Sequence, residues 1–405
     1  MTDDILEQDL INANVYYGLD VEETFDKYIL ENYKYQKVIF FCRNFDYETI
    51  NKRFINDGYQ RVVIVLNDFD ARSLDAIANG INCDVRVLVA YGDFEVVQAV
   101  KYISSVIDKS YVVIKTTLPM VEELLDSYII YDDVYVVGAC NAPVQVLLDS
   151  ILIKNCNRRD ISQCLYSILN KLSFFEDYYL NYIVYKSQFN CLDFVKFKEI
   201  YLDIYVLMER LAMLDKESIL RIGDIALYLS VLLKRLDYRI QSDKIFVFSN
   251  LYLLLTGKSY NSYDLVVSGQ VGLQVVNCVY EKFIKGIDGL SFEYIDIEKR
   301  VVAFDKHFKN FRVTYNAFEM PNVERLRFVL NKNKTIILNK IMSLTKMASL
   351  LLDKSFLIQE DSGYALSKYA DSLAVIKSIS FCSDIVEGDN FIKIIRDYGV
   401  LELFE

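Results

Sequence analysis

The stretch LVAYGDFEVVQAVKYI, Leu88 to Ile103, decides how the N-terminal part of this chain is read. An apolar run ends in one glycine, Gly92, and passes at once into a pattern with apolar positions three and four apart. Strand, glycine turn and helix in that order begin many phosphate-cradling units, because glycine lets backbone N–H groups approach an anion at a helix N-terminus. Yet Asp93 and Phe94 stand where such a turn needs more glycine.

The neighbouring sequence repeats the same alternation. KVIFFC (37–42), RVVIVL (61–66) and VRVLVA (85–90) are short apolar runs. They are followed by the helix-compatible segments YETINKRFIND, ARSLDAIANG and FEVVQAVKYISSVI. YVVIK (Tyr111 to Lys115) and VYVVGA (Val134 to Ala139) extend the series. Continuous apolar strands alternating with helices predict a parallel sheet covered on both faces, over roughly 36–153.

After Asn155 the period changes. RDISQCLYSILNKLSFFEDYYLNYIV and ESILRIGDIALYLSVLLKRL read as helices, with few glycines or prolines to interrupt them. LSFEYIDIEKRVVAF and HFKNFRVTYNAF, within 290–318, alternate more like strands. The expected organisation is a Rossmann-like α/β domain over 1–153 and a mainly α-helical domain over 154–405 with a β-rich insertion near 290–318.

Composition narrows the function. The formal charge of −11 argues against nucleic acid as a partner. No apolar run reaches the ~18 residues of a membrane span, and MTDDILEQDL lacks the basic and apolar regions of a signal peptide. The expected location is therefore cytoplasmic. Eight scattered cysteines without a CxxC pair read as reduced, mostly buried thiols and exclude zinc ribbons on spacing. The single histidine, His307, cannot build a multi-histidine metal site, and between lysines and aromatics it reads as a surface or half-buried residue. Arg158, Arg159 and Lys154 read as a solvated helix start. The adjacent pairs Asp132-Asp133 and Glu122-Glu123 point to different sides of their elements and form no acid/base pair. No Ser-His-Asp, P-loop or EF-hand pattern is present.

Taken in serial order, the landmarks resemble the dehydroquinate synthase and iron-type alcohol dehydrogenase superfamily, over about 36–280. Within it the likeness is to glycerol and glycerol-1-phosphate dehydrogenases. GDFEVVQAVK resembles the family's dinucleotide turn: Gly92 and Lys101 match, while Asp93 and Phe94 replace two glycines and Gln98 an aspartate. KTTLPMVEELLDSY resembles the Pro-Thr-Thr segment near the cofactor, with Thr116 and Thr117 kept and Lys115 in place of proline. APVQVLLD (Ala142 to Asp149) resembles a structural segment leading into the helical domain.

The resemblance also implies where a metal would sit, in the cleft between the two domains. Aligning Lys171 with the family's lysine sets Asp177-Tyr178 on an Asp-Trp pair, Cys164 on a glycine and Ser167 on the metal-binding aspartate. SDKIFVFSN sets Phe246 and Asn250 on two family histidines, the first a ligand, and SGQVG sets Ser268 on the last ligand histidine. All three expected ligands are thus non-ligands, and without a metal nothing polarises the substrate oxygen.

The resemblance therefore implies a dehydroquinate synthase-like fold without the family's chemistry: a non-catalytic, metal-less homologue of polyol-phosphate dehydrogenases, with no cofactor expected. On this reading the cleft holds a small phosphorylated or nucleotide-like ligand. Gly92, Lys101, Thr116, Thr117 and Lys171 are the candidate binding residues, with Lys115 a further phosphate contact, and the family's habit points to a homo-oligomer. The competing expectation is an active NAD(P)-dependent glycerol or glycerol-1-phosphate dehydrogenase, or a dehydroquinate synthase-like enzyme.

Overall fold

The structure, a computed structural model, describes residues 14–19, 21–132, 134–185, 191–240, 243–256, 262–286 and 323–341, with the single positions 374, 377, 378 and 395. His307 and the segment 290–318 lie outside the described residues. The chain divides into two compact units, Met1–Ile168 with Leu202–Tyr238, and Leu169–Tyr201 with Arg239–Glu405.

The first unit is built on a six-stranded sheet, every pair of which is parallel. Its strands are β1 (Val15–Gly18), β2 (Lys37–Cys42), β3 (Gln60–Val65), β4 (Val85–Gly92), β5 (Ser110–Lys115) and, later in the chain, β8 (Gln145–Asp149). They lie in the order β1-β8-β5-β4-β2-β3. β2 to β5 fall on the apolar runs, and β2, β4 and β5 are almost wholly buried, as strands covered on both faces must be.

VYVVGA behaves differently from its neighbours. As β7 (Val134–Ala139) it pairs antiparallel with β6 (Ser127–Asp132) in a separate two-stranded ribbon. The parallel sheet continues instead into β8, within APVQVLLD, and ends at β1, ahead of the predicted α/β region. Burial marks the difference. β7 leaves Val136 exposed and Val137 only half-buried, whereas Val146, Leu147 and Leu148 of β8 are buried in succession.

Helices α1 (Val21–Asn32) and α2 (Tyr47–Arg53) cover one face. Val21, Phe25 and Ile29 repeat every fourth residue, so they form one stripe, which packs with Ile50, Phe54 and Tyr59 on Phe40, Val89 and Tyr91. The rings meet edge-on, Phe25 lying 5.3 Å from Phe40 and 5.4 Å from Phe54.

From β2 the chain first moves outward to β3, then returns past β2 to β4 and onward to β5. With right-handed crossovers that reversal puts α3 (Ala71–Gly80) and α4 (Phe94–Ile107) on the opposite face. It also makes the carboxyl ends of β2 and β4 a topological switch point, the place where sheets of this kind bind ligands. A short helix, α5 (Ser150–Ile153), the first part of α6 (Arg158–Asn170) and α9 (Lys216–Arg235) complete this unit, with the second half of α8 (Cys191–Ala212).

The second unit is helical where it is described: α7 (Leu172–Tyr185), the first half of α8, α10 (Lys244–Thr256), α11 (Ser262–Gly286) and α12 (Val323–Ile336). The helical run predicted from RDISQ to NYIV is interrupted at Lys171, between α6 and α7. Close approach is built into α11, where a Cβ at Gly269 would lie 2.2 Å from the Asn170 amide nitrogen. Among the described residues no helix is long and apolar enough to cross a membrane. Cys42, Cys156 and Cys164 are buried free thiols, while Cys83 and Cys278 are exposed.

Candidate functional site

The β4–α4 turn lies at the switch point. Gly92 has φ 150°, a conformation that favours glycine, and a Cβ there would lie 3.2 Å from the Val96 side chain. The next residue, Asp93, is the N-cap of α4, and its Oδ1 accepts from the Val96 N–H at 3.1 Å. A carboxylate is the favoured partner for a helix N-terminus, through both the unpaired N–H groups and the dipole. Here the helix supplies that anion from its own chain.

Asp93 is itself held. The Arg43 guanidinium, just beyond the end of β2, donates to Asp93 Oδ2 at 2.6 Å and pairs with Glu95. Its flat face lies over Phe69, 4.4 Å from the ring centre. Asp46 completes the cluster. Its Oδ2 is buried without a hydrogen-bond partner and would lie 3.6 Å from a Cβ on Gly92. Burial, and then the charge of Asp93, push the Asp46 carboxyl up to about 7, against the opposing pull of Arg43. Phe94 is buried at the first position of α4.

The other sequence-selected residues of this unit have internal roles. Gln98 accepts from the Ile129 N–H at 2.8 Å and so ties α4 to β6. Lys101 is fully buried and donates to the carbonyls of Glu122, Leu125 and Ser127 at 2.9, 2.8 and 2.9 Å. Burial lowers its pKa to about 8, against the opposing pull of Cys140, Glu123, Asp126 and Glu122. Lys115 sits level with Gly92 in the sheet and pairs with Glu123 at 2.7 Å, both side chains buried. The second Glu123 oxygen has no partner, and burial raises its pKa against the pull of Lys115. Thr116 and Thr117 are half-buried after β5, and the Thr116 N–H donates to the Gly92 carbonyl at 3.3 Å.

Ser167, on α6, is buried and doubly engaged. Its hydroxyl donates to Glu122 Oε2 at 2.7 Å and accepts from the Val121 N–H at 3.0 Å. Glu122 and Glu123 thus have separate partners, Ser167 and Lys115, as their adjacency in sequence predicts.

The second unit contains its own polar group. Lys171 pairs with Asp243 at 3.0 Å and Lys244 with Asp177 at 2.6 Å, all four residues being buried. Asp243 also caps α10, accepting from the Ile245 N–H at 2.8 Å. Asp177 accepts from the Tyr280 hydroxyl at 2.7 Å, and Lys244 lies over that ring at 4.6 Å. Burial raises the Asp177 pKa against the pull of Lys244. Phe246 is half-buried on α10 and has no donor atom; Ser268 is buried on α11 and donates to the Leu265 carbonyl at 2.9 Å.

These side chains do not fit a metal centre. Ser167 has its hydroxyl committed to protein partners, Ser268 bonds its own helix backbone, and a phenyl ring offers no lone pair. Among the described residues no group of three or more His, Cys, Asp or Glu side chains is placed to hold an ion.

Arg43, Asp46 and Asp243 were not singled out in the sequence. Arg43 and Asp46 follow the strand KVIFFC, so the rule that ligands meet the carboxyl ends of strands at a switch point flags them once strand order is known. Asp243 stands directly before an apolar helix, a capping signal present in the sequence itself.

Neither a protein-family model nor a curated protein sequence matches this chain. Solved structures do. An iron-containing alcohol dehydrogenase from Corynebacterium glutamicum superposes with a TM-score of 0.57 at 10% identity, covering 96% of this chain and 94% of that one. The NADH-dependent butanol dehydrogenase A of Thermotoga maritima gives 0.57 at 11% identity, covering 96% of each chain. Glycerol dehydrogenase from Schizosaccharomyces pombe gives 0.52 at 10% identity over 83% of this chain and 90% of that one.

Proposed function

The fold is that of the iron-containing alcohol and glycerol dehydrogenases, and we propose that this chain uses it without their hydride-transfer chemistry, as a binding or assembly protein. The observation that carries this reading is the capped turn. Where the resemblance sets a pyrophosphate on backbone N–H groups, Asp93 occupies the Val96 N–H and Arg43 neutralises Asp93. An incoming phosphate would meet Asp93, Glu95 and Asp46, and would have to displace a cap already in place. The residues aligned with metal ligands support the same reading, since Ser167 and Ser268 are bonded to protein groups.

The three lysines named as phosphate contacts bear on the ligand. Lys101, Lys115 and Lys171 all have internal acceptors. Recruiting any of them requires the ligand to replace a buried carboxylate or carbonyl, so a phosphorylated ligand is a weaker proposal than a protein partner or a second copy of the chain.

Isothermal titration with NAD+, NADH and NADPH tests the proposal. We expect no saturable binding up to millimolar cofactor in the native protein. The repaired variant carrying Asp93→Gly and Phe94→Gly is expected to gain measurable affinity. Native binding at micromolar concentrations, or polyol oxidation by protein loaded with zinc, nickel or iron, would establish the active-dehydrogenase reading instead.

A further inference from the structure

The switch-point cluster holds three carboxylates, Asp46, Asp93 and Glu95, around the single guanidinium of Arg43. Two of the carboxylates are bonded to it; Asp46 is not, and its buried Oδ2 faces the α-carbon of Gly92 without a hydrogen-bond partner. A buried carboxylate oxygen with no donor is costly when ionised and far less so when protonated.

We infer that Asp46 is a proton-operated latch on the β4–α4 turn: protonated, it leaves Arg43 clamped on Asp93 and Glu95, and ionised, it repels Asp93 and competes for Arg43, loosening the cap of α4. The inference concerns the turn itself and holds whether or not the turn meets a dinucleotide.

Among the described residues, the charged and titratable groups in electrostatic contact with Asp46 push in known directions. Arg43 favours ionisation and Asp93 opposes it. Cys42, at the end of β2, is pushed up to about 12 by its own burial and then by Asp46, so it stays a neutral thiol near neutrality. Tyr91, on β4, is likewise raised, chiefly by burial, and is neutral. Behind Tyr91, Arg53 is taken up by Glu22 and by Asp149, 2.6 Å away, and Asp160 adds a further negative field at Asp93. Among the described residues Arg43 is the only cation in electrostatic contact with Asp46, so an ionised Asp46 must share it.

The sign follows from proton linkage. The Asp46 carboxyl has a pKa near 7 in the folded turn and about 4 once the turn opens to water. Its contribution is therefore complete below pH 4 and is lost as pH rises through 7. The opening equilibrium should grow about tenfold between pH 6 and pH 8.

Native-state amide hydrogen exchange, corrected for intrinsic rates, reads that equilibrium at the Val96 N–H, which Asp93 caps, and at Val97. In the native protein, protection at these amides is expected to fall about tenfold from pH 6 to pH 8, and in Asp46→Asn it should stay level. Flat protection in the native protein, or the same fall in Asp46→Asn, overturns the latch. Should Asp46→Asn fail to fold, carbon-13 titration of the Asp46 carboxyl in the native protein decides. A midpoint near 7 supports the latch, and a midpoint near 4 overturns it.

Discussion

Two regions of the molecule hold residues that the sequence resemblance singles out, and both are filled by the chain's own charges. In the β4–α4 turn, one guanidinium binds two of three neighbouring carboxylates, with Arg43, Asp93 and Glu95 each about a quarter exposed. In the helical unit, two lysines meet two aspartates, one to one, and the pairs are almost sealed from water. The first arrangement has surplus negative charge and a titrating member. The second is balanced and has further acceptors and donors in Ser173 and Tyr280. Charge balance and solvent access, and not the number of ion pairs, decide which region is rigid and which can respond.

Breaking the balanced region should have the largest effect. Asp177→Asn leaves the Lys244 ammonium buried beside a neutral amide, and breaking such a pair costs about 3–5 kcal/mol. Urea unfolding followed by circular dichroism reads this; a loss below about 1 kcal/mol would mean that water reaches the pair.

An intermediate effect is expected at Lys101, whose ammonium serves three buried carbonyls. Lys101→Met strips all three of their common donor, for a loss of about 3 kcal/mol. Exchange of the amides between Glu122 and Ile129 should accelerate more than that of the β2 amides. Uniform acceleration over the whole sheet would show that the lysine supports the entire unit instead.

The smallest effect belongs to the turn. Asp93→Ala removes a helix cap and one partner of Arg43, at a cost of about 1–2 kcal/mol, while Asp93→Asn should recover much of the capping. If Asn proved no better than Ala, charge neutralisation of Arg43 would outweigh capping, and the turn would resemble the balanced region more closely than its geometry indicates.

Much of the α/β layer was legible because its strands are buried on both faces. KVIFFC and ARSLDAIANG coincide with β2 and α3 to the residue. The ribbon was not legible. VYVVGA is as apolar as any core strand, and only its partner, β6, which binds it back to back after a single intervening residue, distinguishes it. Strand β1 is four residues long, with Tyr16 exposed, and carries too little periodicity to be read alone. At the candidate site, the meaning of Asp93 was legible as a misfit to a glycine turn. Its partner Arg43 lies 50 residues earlier and is joined to it only by the strand order. Lys101 and Lys171 read as candidate phosphate contacts because a sequence does not show which internal acceptors a lone lysine will meet. In the fold, long-range carbonyls and a distant aspartate supply what water would have supplied.

The Lys101 site is built like an ion-coordination shell. Three carbonyl oxygens, all within 2.9 Å and contributed by one short stretch of backbone, are the ligand set that a potassium or sodium ion would recruit. Here the cation is covalently tethered to α4, so it cannot exchange with the medium. The order of the segment from Glu122 to Ser127 is thereby independent of which alkali ion surrounds the protein. Acylating that one amine would remove the central ion from all three oxygens at once.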